Sequence, residues 1–437
     1  MSARETALNV LIACRVDGGW SNGVLKEYIA RDRLDGRDSG LATRLCYGVI
    51  QNRNLLDFYL QQLLTGKIKD LHPVVRDILH LGLYQLLFMD KIPQSAAVNE
   101  SVELAKRYGR RQGNVSGLVN AVLRNAVRKR DSLTQPISWE DKYSHPGELI
   151  NLLKSYVGKQ RLEPMLKANN AIAPITVQVN TLRTTAADLQ KKLERSGVIA
   201  EAHPWLADCL VLSGTGNLEQ LSCFQEGLFY VQDAAAKLSV LCASIQPAQQ
   251  VLDCCAAPGG KSFAAAMAMK GQGSIRSCDV HAHKITLIDK NARRLGIDNI
   301  TAIQQDATEF VPAWEEKMDT VIADVPCSGL GIIRKKPDIR YKALQEIAAL
   351  PALQKKILEN VSRYVKPGGL LLYSTCTLVQ AENEGMVEEF LQTHPDFTTE
   401  PLPLPAPFPK NESGMLTLVP GEYDTDGFFI CRLRRKL

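Results

Sequence analysis

Apolar residues recur at three- and four-residue spacing over residues 6–14, 43–64, 73–88 and 98–108, the pattern of helices that bury one face. No alternating run of useful length interrupts them, so residues 1–140 read as an all-helical domain. Pro136 and the cluster Tyr143-Ser-His-Pro-Gly147 punctuate the chain. Helical periodicity then resumes over 148–167, and residues 141–170 are assigned to a helical linker. Short β-rich runs at 175–179, 209–212 and 228–231, with a helical stretch at 185–196, form a small α+β domain over 171–235. From residue 251 the rhythm changes again. Apolar strands at 251–255, 274–280, 299–305, 320–325 and 370–374 alternate with amphipathic segments, which predicts a mainly parallel, doubly wound α/β sheet, a Rossmann-like domain over 236–437. The run 427–433 reads as a closing strand, at an edge or antiparallel, and Pro401-Leu-Pro-Leu-Pro-Ala-Pro407 as an extended surface connector.

Composition narrows this picture. At roughly 150 residues per domain, 437 residues make about three domains, and 45% hydrophobic with 23% charged residues is a globular balance. The apolar run 7–14 is closed by Arg15 and Asp17, far short of the roughly 18 apolar residues that a membrane span needs. No signal peptide and no membrane anchor are read. Eleven cysteines without a C-x-x-C pair fit reduced thiols rather than a disulfide or zinc framework, so a cytoplasmic protein is expected. The net charge of +5 is unevenly placed: residues 1–140 hold twenty Lys and Arg against fourteen Asp and Glu, the remainder thirty-two against thirty-three. Between residues 104 and 130, Lys106, Arg107, Arg110, Arg111, Arg124, Arg128, Lys129 and Arg130 meet no acid in sequence. Such a cluster suits a polyanion, and equally a solvated helix face followed by a basic linker.

The densest chemistry starts at Asp253-Cys-Cys-Ala-Ala-Pro-Gly-Gly-Lys261, between the first strand of the sheet and an Ala-rich helix. Glycines at a strand-to-helix turn let a ligand approach the backbone, and open sheets bind ligands at the carboxyl ends of their strands. A P-loop would need glycine where Cys255 stands, and a dinucleotide fingerprint would need G-x-G-x-x-G rather than Pro258-Gly259-Gly260. A nucleoside site remains. It calls for an acid after the second strand to meet ribose hydroxyls, where Asp279 stands, and one after the third to meet an adenine amine, where Asp306 stands. Either acid alone also reads as a helix cap. Asp324-Val-Pro-Cys-Ser-Gly329 follows the next strand and Ser374-Thr-Cys376 the fifth, so one sheet edge gathers a nucleoside site, a carboxylate and two thiols.

The A-P-G-G-K turn, the D-V-P-C-S-G loop and the S-T-C turn together resemble the RNA 5-methylcytosine methyltransferases. The likeness extends through Gly331-Ile-Ile-Arg-Lys-Lys-Pro-Asp338 and Asp426-Gly-Phe-Phe429, with Ala168-Asn-Asn170 and Val179-Asn-Thr-Leu182 similar to the family's small preceding domain. Upstream, Asn99-Glu-Ser-Val-Glu-Leu-Ala-Lys-Arg-Tyr-Gly109 and Gly117-Leu-Val-Asn-Ala-Val-Leu-Arg124 are similar to the helical RNA-binding fold of the antitermination factor NusB. That pairing resembles the family's bacterial small-subunit ribosomal RNA enzymes. The resemblance implies S-adenosylmethionine as methyl donor, with no metal, held by Cys255, Ala256, Ala257, Pro258, Gly259, Gly260, Lys261, Asp279, Asp306 and Asp324. It implies cytosine C5 in RNA as acceptor, with 16S ribosomal RNA before or during subunit assembly as the expected substrate; a monomer without obligate protein partner is expected.

Cytosine C5 is a poor nucleophile until a thiolate adds to C6, so a catalytic cysteine is expected. By resemblance Cys376 takes that role, Asp324 meets the N3 and amino edge, and Cys327 assists loss of the C5 proton. Arg110, Arg111, Arg124, Arg128 and Arg334 are the expected RNA contacts, Arg334 from the basic loop Arg334-Lys-Lys336. The small domain lacks the aromatic signature of a typical RNA-recognition motif, and its Phe229 and Tyr230 read as core. His281 and His283 lack a further ligand at metal spacing. Two other classes compete. A non-catalytic RNA-binding or antitermination protein has no use for Asp324, Cys327 and Cys376 together, and an amine methyltransferase favours N-P-P-[YF] where this chain has Asp-Val-Pro-Cys.

Overall fold

The computed structural model describes residues 1–17, 20–109 and 115–437. Two compact units emerge, Met1–Ser155 with Lys335–Tyr341, and Tyr156–Arg334 with Lys342–Leu437.

The first unit is helical. Helices Ala3–Asp17, Ser21–Asp32, Gly36–Gln51, Arg53–Leu63, Pro73–Phe88, Gln94–Tyr108 and Val115–Lys129 pack around Pro73–Phe88, whose Ile78, Leu79, Leu81 and Leu83 are fully buried. Pro73 opens that helix where a missing N–H costs nothing. The periodic stretch 43–64 is two helices rather than one. Asn52 ends the first by donating from Nδ2 to the Gly48 carbonyl at 2.8 Å, so a side chain satisfies a helix-terminal acceptor. Lys335–Tyr341 belongs to this unit through the buried Arg340, which donates to the carbonyls of Gln51, Ser144 and Pro337 at 2.7, 2.9 and 3.1 Å.

The second unit holds two sheets. Strands β1 (Ile175–Val179), β2 (Ile199–Ala202), β3 (Cys209–Ser213) and β4 (Phe229–Val231) form an antiparallel sheet of order β2-β3-β1-β4. Edge strand β2 escapes the hydrophobic pattern because only Ala200 of its four residues is buried. Phe229 and Tyr230 are core, as their sequence context suggests.

The larger sheet contains β5 (Gln250–Asp253), β6 (Ser274–Asp279), β7 (Ile300–Gln304), β8 (Met318–Asp324), β9 (Val365–Thr375), β10 (Phe397–Thr399), β11 (Met415–Leu418) and β12 (Phe428–Arg435). Its order is β10-β12-β9-β8-β5-β6-β7, with β11 paired to β12. Strands β5 to β9 run parallel to one another, as the doubly wound expectation requires. The closing strand is antiparallel, yet it is not at an edge. Strand β12 lies between β9 and β10 because the short β10 covers its outer side. Among the described residues no helix is long and apolar enough to cross a membrane.

Candidate active site

Helix Gly260–Ala268 follows β5 after the loop 254–259, and its N-cap Gly259 has φ 106°, where a Cβ would meet the Phe263 ring at 2.4 Å. Only glycine turns the chain there. Acids stand at the carboxyl ends of successive strands: Asp253 ends β5, Asp279 ends β6, Asp306 lies two residues past β7 and Asp324 ends β8. Asp279 accepts from the His281 N–H at 3.1 Å and Lys284 Nζ at 3.4 Å, while Asp306 accepts from the Thr308 N–H and hydroxyl at 2.8 and 2.7 Å. Both acids therefore also brace their own loops. Lys261 Nζ donates to Asp324 Oδ2 at 2.6 Å, and the Ser374 hydroxyl to Asp324 Oδ1 at 2.8 Å. Burial, the largest single influence on Lys261, favours loss of its proton, but the charge and hydrogen bond of Asp324 together with the negative charge of Asp253 and Cys376 outweigh it and hold the ammonium above its ordinary value.

The donor set fits a nucleoside carrying a zwitterionic amino-acid tail. The cradle offers a glycine turn without Cβ bulk, carboxylates to accept from hydroxyls and an amine, and a lysine–carboxylate pair of both signs. Among the described residues no three His, Cys, Asp or Glu side chains cluster as metal ligands.

The two loop cysteines meet beside this pair. Cys327 Sγ and Cys376 Sγ lie 3.1 Å apart, and the Cys376 N–H donates to Cys327 Sγ at 3.2 Å. Both are partly exposed, whereas Cys46, Cys242 and Cys431 are buried. The hydrogen bond to Cys376, then burial, pushes the Cys327 thiol well above its ordinary value, with Glu382 and Asp324 adding negative charge nearby. Cys327 therefore keeps its proton at neutral pH. The remote motif residues close the same turn, since Gly331 N–H donates to the Cys376 carbonyl at 3.0 Å and Gly427 N–H to the Gly331 carbonyl at 2.8 Å. A Cβ on Gly331 would strike the Gly427 oxygen at 2.1 Å.

Family models match as "16S rRNA methyltransferase RsmB/F" over residues 240–434, the NusB family over 1–128, and a Methyltr_RsmF/B-like ferredoxin-like domain over 145–219. A probable ribosomal RNA small subunit methyltransferase B of Bacillus subtilis is 35% identical over 445 residues, covering 100% of this chain and 99% of that one. The chain belongs to the ribosomal RNA small subunit methyltransferase B family. A further family member, from Vibrio cholerae, is 34% identical over 93% of this chain and 92% of its own. The crystal structure of PH0851 superposes with a TM-score of 0.81 at 26% identity, covering 99% of this chain and 98% of that chain.

Family membership leaves the RNA contacts to geometry. Arg124 and Arg128 are exposed on the helix Val115–Lys129; Arg110 and Arg111 lie outside the described residues. Several of their neighbours have acidic partners: Lys106 pairs with Glu103 one turn before it, and Arg107 with Glu5 and Arg130 with Asp90 across the fold. Arg334 is the correction. Its side chain is 3% exposed and donates to Asp426 at 2.7 Å, with Asp233 at 3.7 Å, so it is committed to an internal ion-pair cluster rather than presented to phosphate. Lys335 and Lys336 are exposed. Two residues that the sequence reading did not single out stand behind the thiols, Glu382 and Asn383, both fully buried. Read locally, Gln380-Ala-Glu-Asn383 is a polar turn that belongs in solvent; its place just past the Cys376 motif was the available signal.

Proposed function

We propose that this protein methylates C5 of a cytosine in RNA, with small-subunit ribosomal RNA as the substrate class, through a transient bond between Cys376 and cytosine C6. The observation that carries this reading is the 3.1 Å approach of Cys327 and Cys376 beside the Lys261–Asp324 pair. Methyl transfer to an amine requires no nucleophile on the enzyme, whereas transfer to C5 requires one thiol to activate the ring and a proton acceptor to release it. The names of the relatives support the RNA assignment.

S-adenosylmethionine, when bound, supplies an electrophilic methyl group. Residues Cys255 to Lys261 would line its turn, Asp279 would accept from the ribose hydroxyls, and Asp306 from the adenine amine. The protein's own groups do the rest. The Cys376 sulfur, giving up its proton to solvent, forms the C6–S bond as the C5–C6 π pair moves onto C5 and makes it nucleophilic. Asp324 accepts from the cytosine amino edge, with Lys261 as its counter-ion. Protonated Cys327 stabilises the attacking thiolate by hydrogen bonding before the bond forms. After methyl transfer Cys327, its own proton having passed to solvent, takes the C5 proton; the C5–H electron pair restores the C5–C6 double bond, and the C6–S bond breaks with its pair returning to the Cys376 sulfur.

Incubation of variants with target RNA and S-adenosylmethionine, followed by denaturing electrophoresis, tests this directly. Cys376→Ala should neither methylate nor attach to RNA. Cys327→Ala should attack and methylate, then stall as a retarded protein–RNA band. Full turnover by both variants would exclude the covalent route.

A further inference from the structure

Glu382 and Asn383 are consecutive, and each grips the residues flanking a different thiol. Glu382 Oε2 accepts from the Ser328 N–H at 2.9 Å and from Gln354 Nε2 at 2.8 Å; the same Gln354 amide donates to the Pro326 carbonyl at 2.9 Å. Pro326 and Ser328 bracket Cys327. Asn383 Oδ1 accepts from the Thr375 hydroxyl at 2.6 Å, and its Nδ2 donates to the Thr377 carbonyl at 3.0 Å. Thr375 and Thr377 bracket Cys376. The turn itself is held by the Tyr373 hydroxyl, which donates to the Glu382 carbonyl at 2.7 Å.

A fully buried carboxylate is costly, and Glu382 keeps one oxygen, Oε1, without any hydrogen-bond partner. An apolar residue would fill that space at lower cost. We propose that Glu382 and Asn383 are positioning residues that hold the two thiols through separate contacts, Glu382 placing Cys327 for release of the methylated base and Asn383 placing Cys376 for attack. The inference rests on the covalent reading above, and deepens it by assigning each half-reaction its own support.

The two halves fail differently. Glu382→Ala frees the Cys327 loop but leaves Thr375 and Thr377 held, so a covalent protein–RNA band should accumulate while turnover falls about a hundredfold, the scale of a misplacement near 1 Å. Asn383→Ala should slow formation of the band by a similar factor, with none accumulating. Glu382→Gln keeps an oxygen for the Ser328 N–H and should recover most of the turnover. Gln354→Met, which removes the amide linking Glu382 to Pro326 while preserving volume, should accumulate the same band as Glu382→Ala and carries the test if that variant does not fold. Unchanged turnover, or the same band behaviour from the Glu382 and Asn383 variants, overturns the assignment. Absence of a band from Cys327→Ala in the same gel overturns the covalent reading, and this inference with it.

Discussion

At the end of β5 the Asp253 carboxyl is fully buried; Oδ2 accepts from the Ser262 hydroxyl at 2.7 Å, Ser277 donates to Ser262 at 2.7 Å, and Oδ1 has no partner. Burial pushes this acid up to about 7, against the hydrogen bond from Ser262 and the charge of Lys261. In the unfolded chain it ionises near its ordinary 3.8, so between that value and about 7 the folded state binds more protons. Its contribution to stability is therefore intact below the lower value, is lost as pH rises through the window, and levels off above about 7. The full loss is about 4 kcal/mol. Asp253→Asn keeps an acceptor for Ser262 and cannot ionise, so the variant should gain on the wild type by a few kcal/mol between pH 4 and pH 8. Urea unfolding at the two pH values measures this, and a difference independent of pH would mean that the buried acid does not titrate in that window.

Among elements, the loop after β8 and the loop before β12 are tied by charge rather than by apolar packing. Arg334 links them through Asp426, and it reaches Asp233, the N-cap of the helix Ala234–Cys242. Side-chain exposures of 3% for Arg334, 4% for Asp426 and 11% for Asp233 make this a desolvated cluster. Removing the cation takes the Arg334 counter-charge from two buried carboxylates, so Arg334→Met should cost about 3 to 5 kcal/mol in chemical denaturation. The same variant should leave the salt dependence of RNA binding unchanged. A weaker salt dependence in a folded Arg334→Met protein would return this residue to the RNA surface. Strand β12 illustrates a related point at this scale: its apolar run is legible, but its interior place depends on the three-residue β10, which carries too little pattern to be read.

For the whole molecule, the excess of positive charge is a property of the first 140 residues, and the structure sorts that excess into paired and exposed groups. Lys106, Arg107 and Arg130 have carboxylate partners at the surface, and Arg124, Arg128 and Lys129 form an exposed basic group in the second half of one helix. If these three neutralise single-stranded RNA phosphates, each adds about 0.7 to the slope of log affinity against log salt. Reversal of all three to glutamate should therefore flatten the slope by roughly two, at about 0.7 per contact, while cofactor affinity by calorimetry stays unchanged. An unaltered slope would mark them as a solvated helix face.

Features set by short-range physics were legible in the chain. The helical period of the first domain, the strand rhythm after residue 251, the glycine turn at Gly259 and the acids following successive strands all follow from backbone preferences and nearest neighbours along the sequence. Even the two thiol loops announce themselves as motifs. What those loops do together was decided only by the order of strands in the sheet. Cys327 and Cys376 are 49 residues apart in sequence, Lys261 and Asp324 are 63 apart, and Arg334 and Asp426 are 92 apart. Glu382 and Arg334 show the consequence most clearly. Both are charged residues in polar stretches, which local sequence assigns to solvent, and both are buried because distant segments supply their hydrogen-bond and ion-pair partners. Burial of a charge is a statement about its partners in space, and no window along the chain contains them.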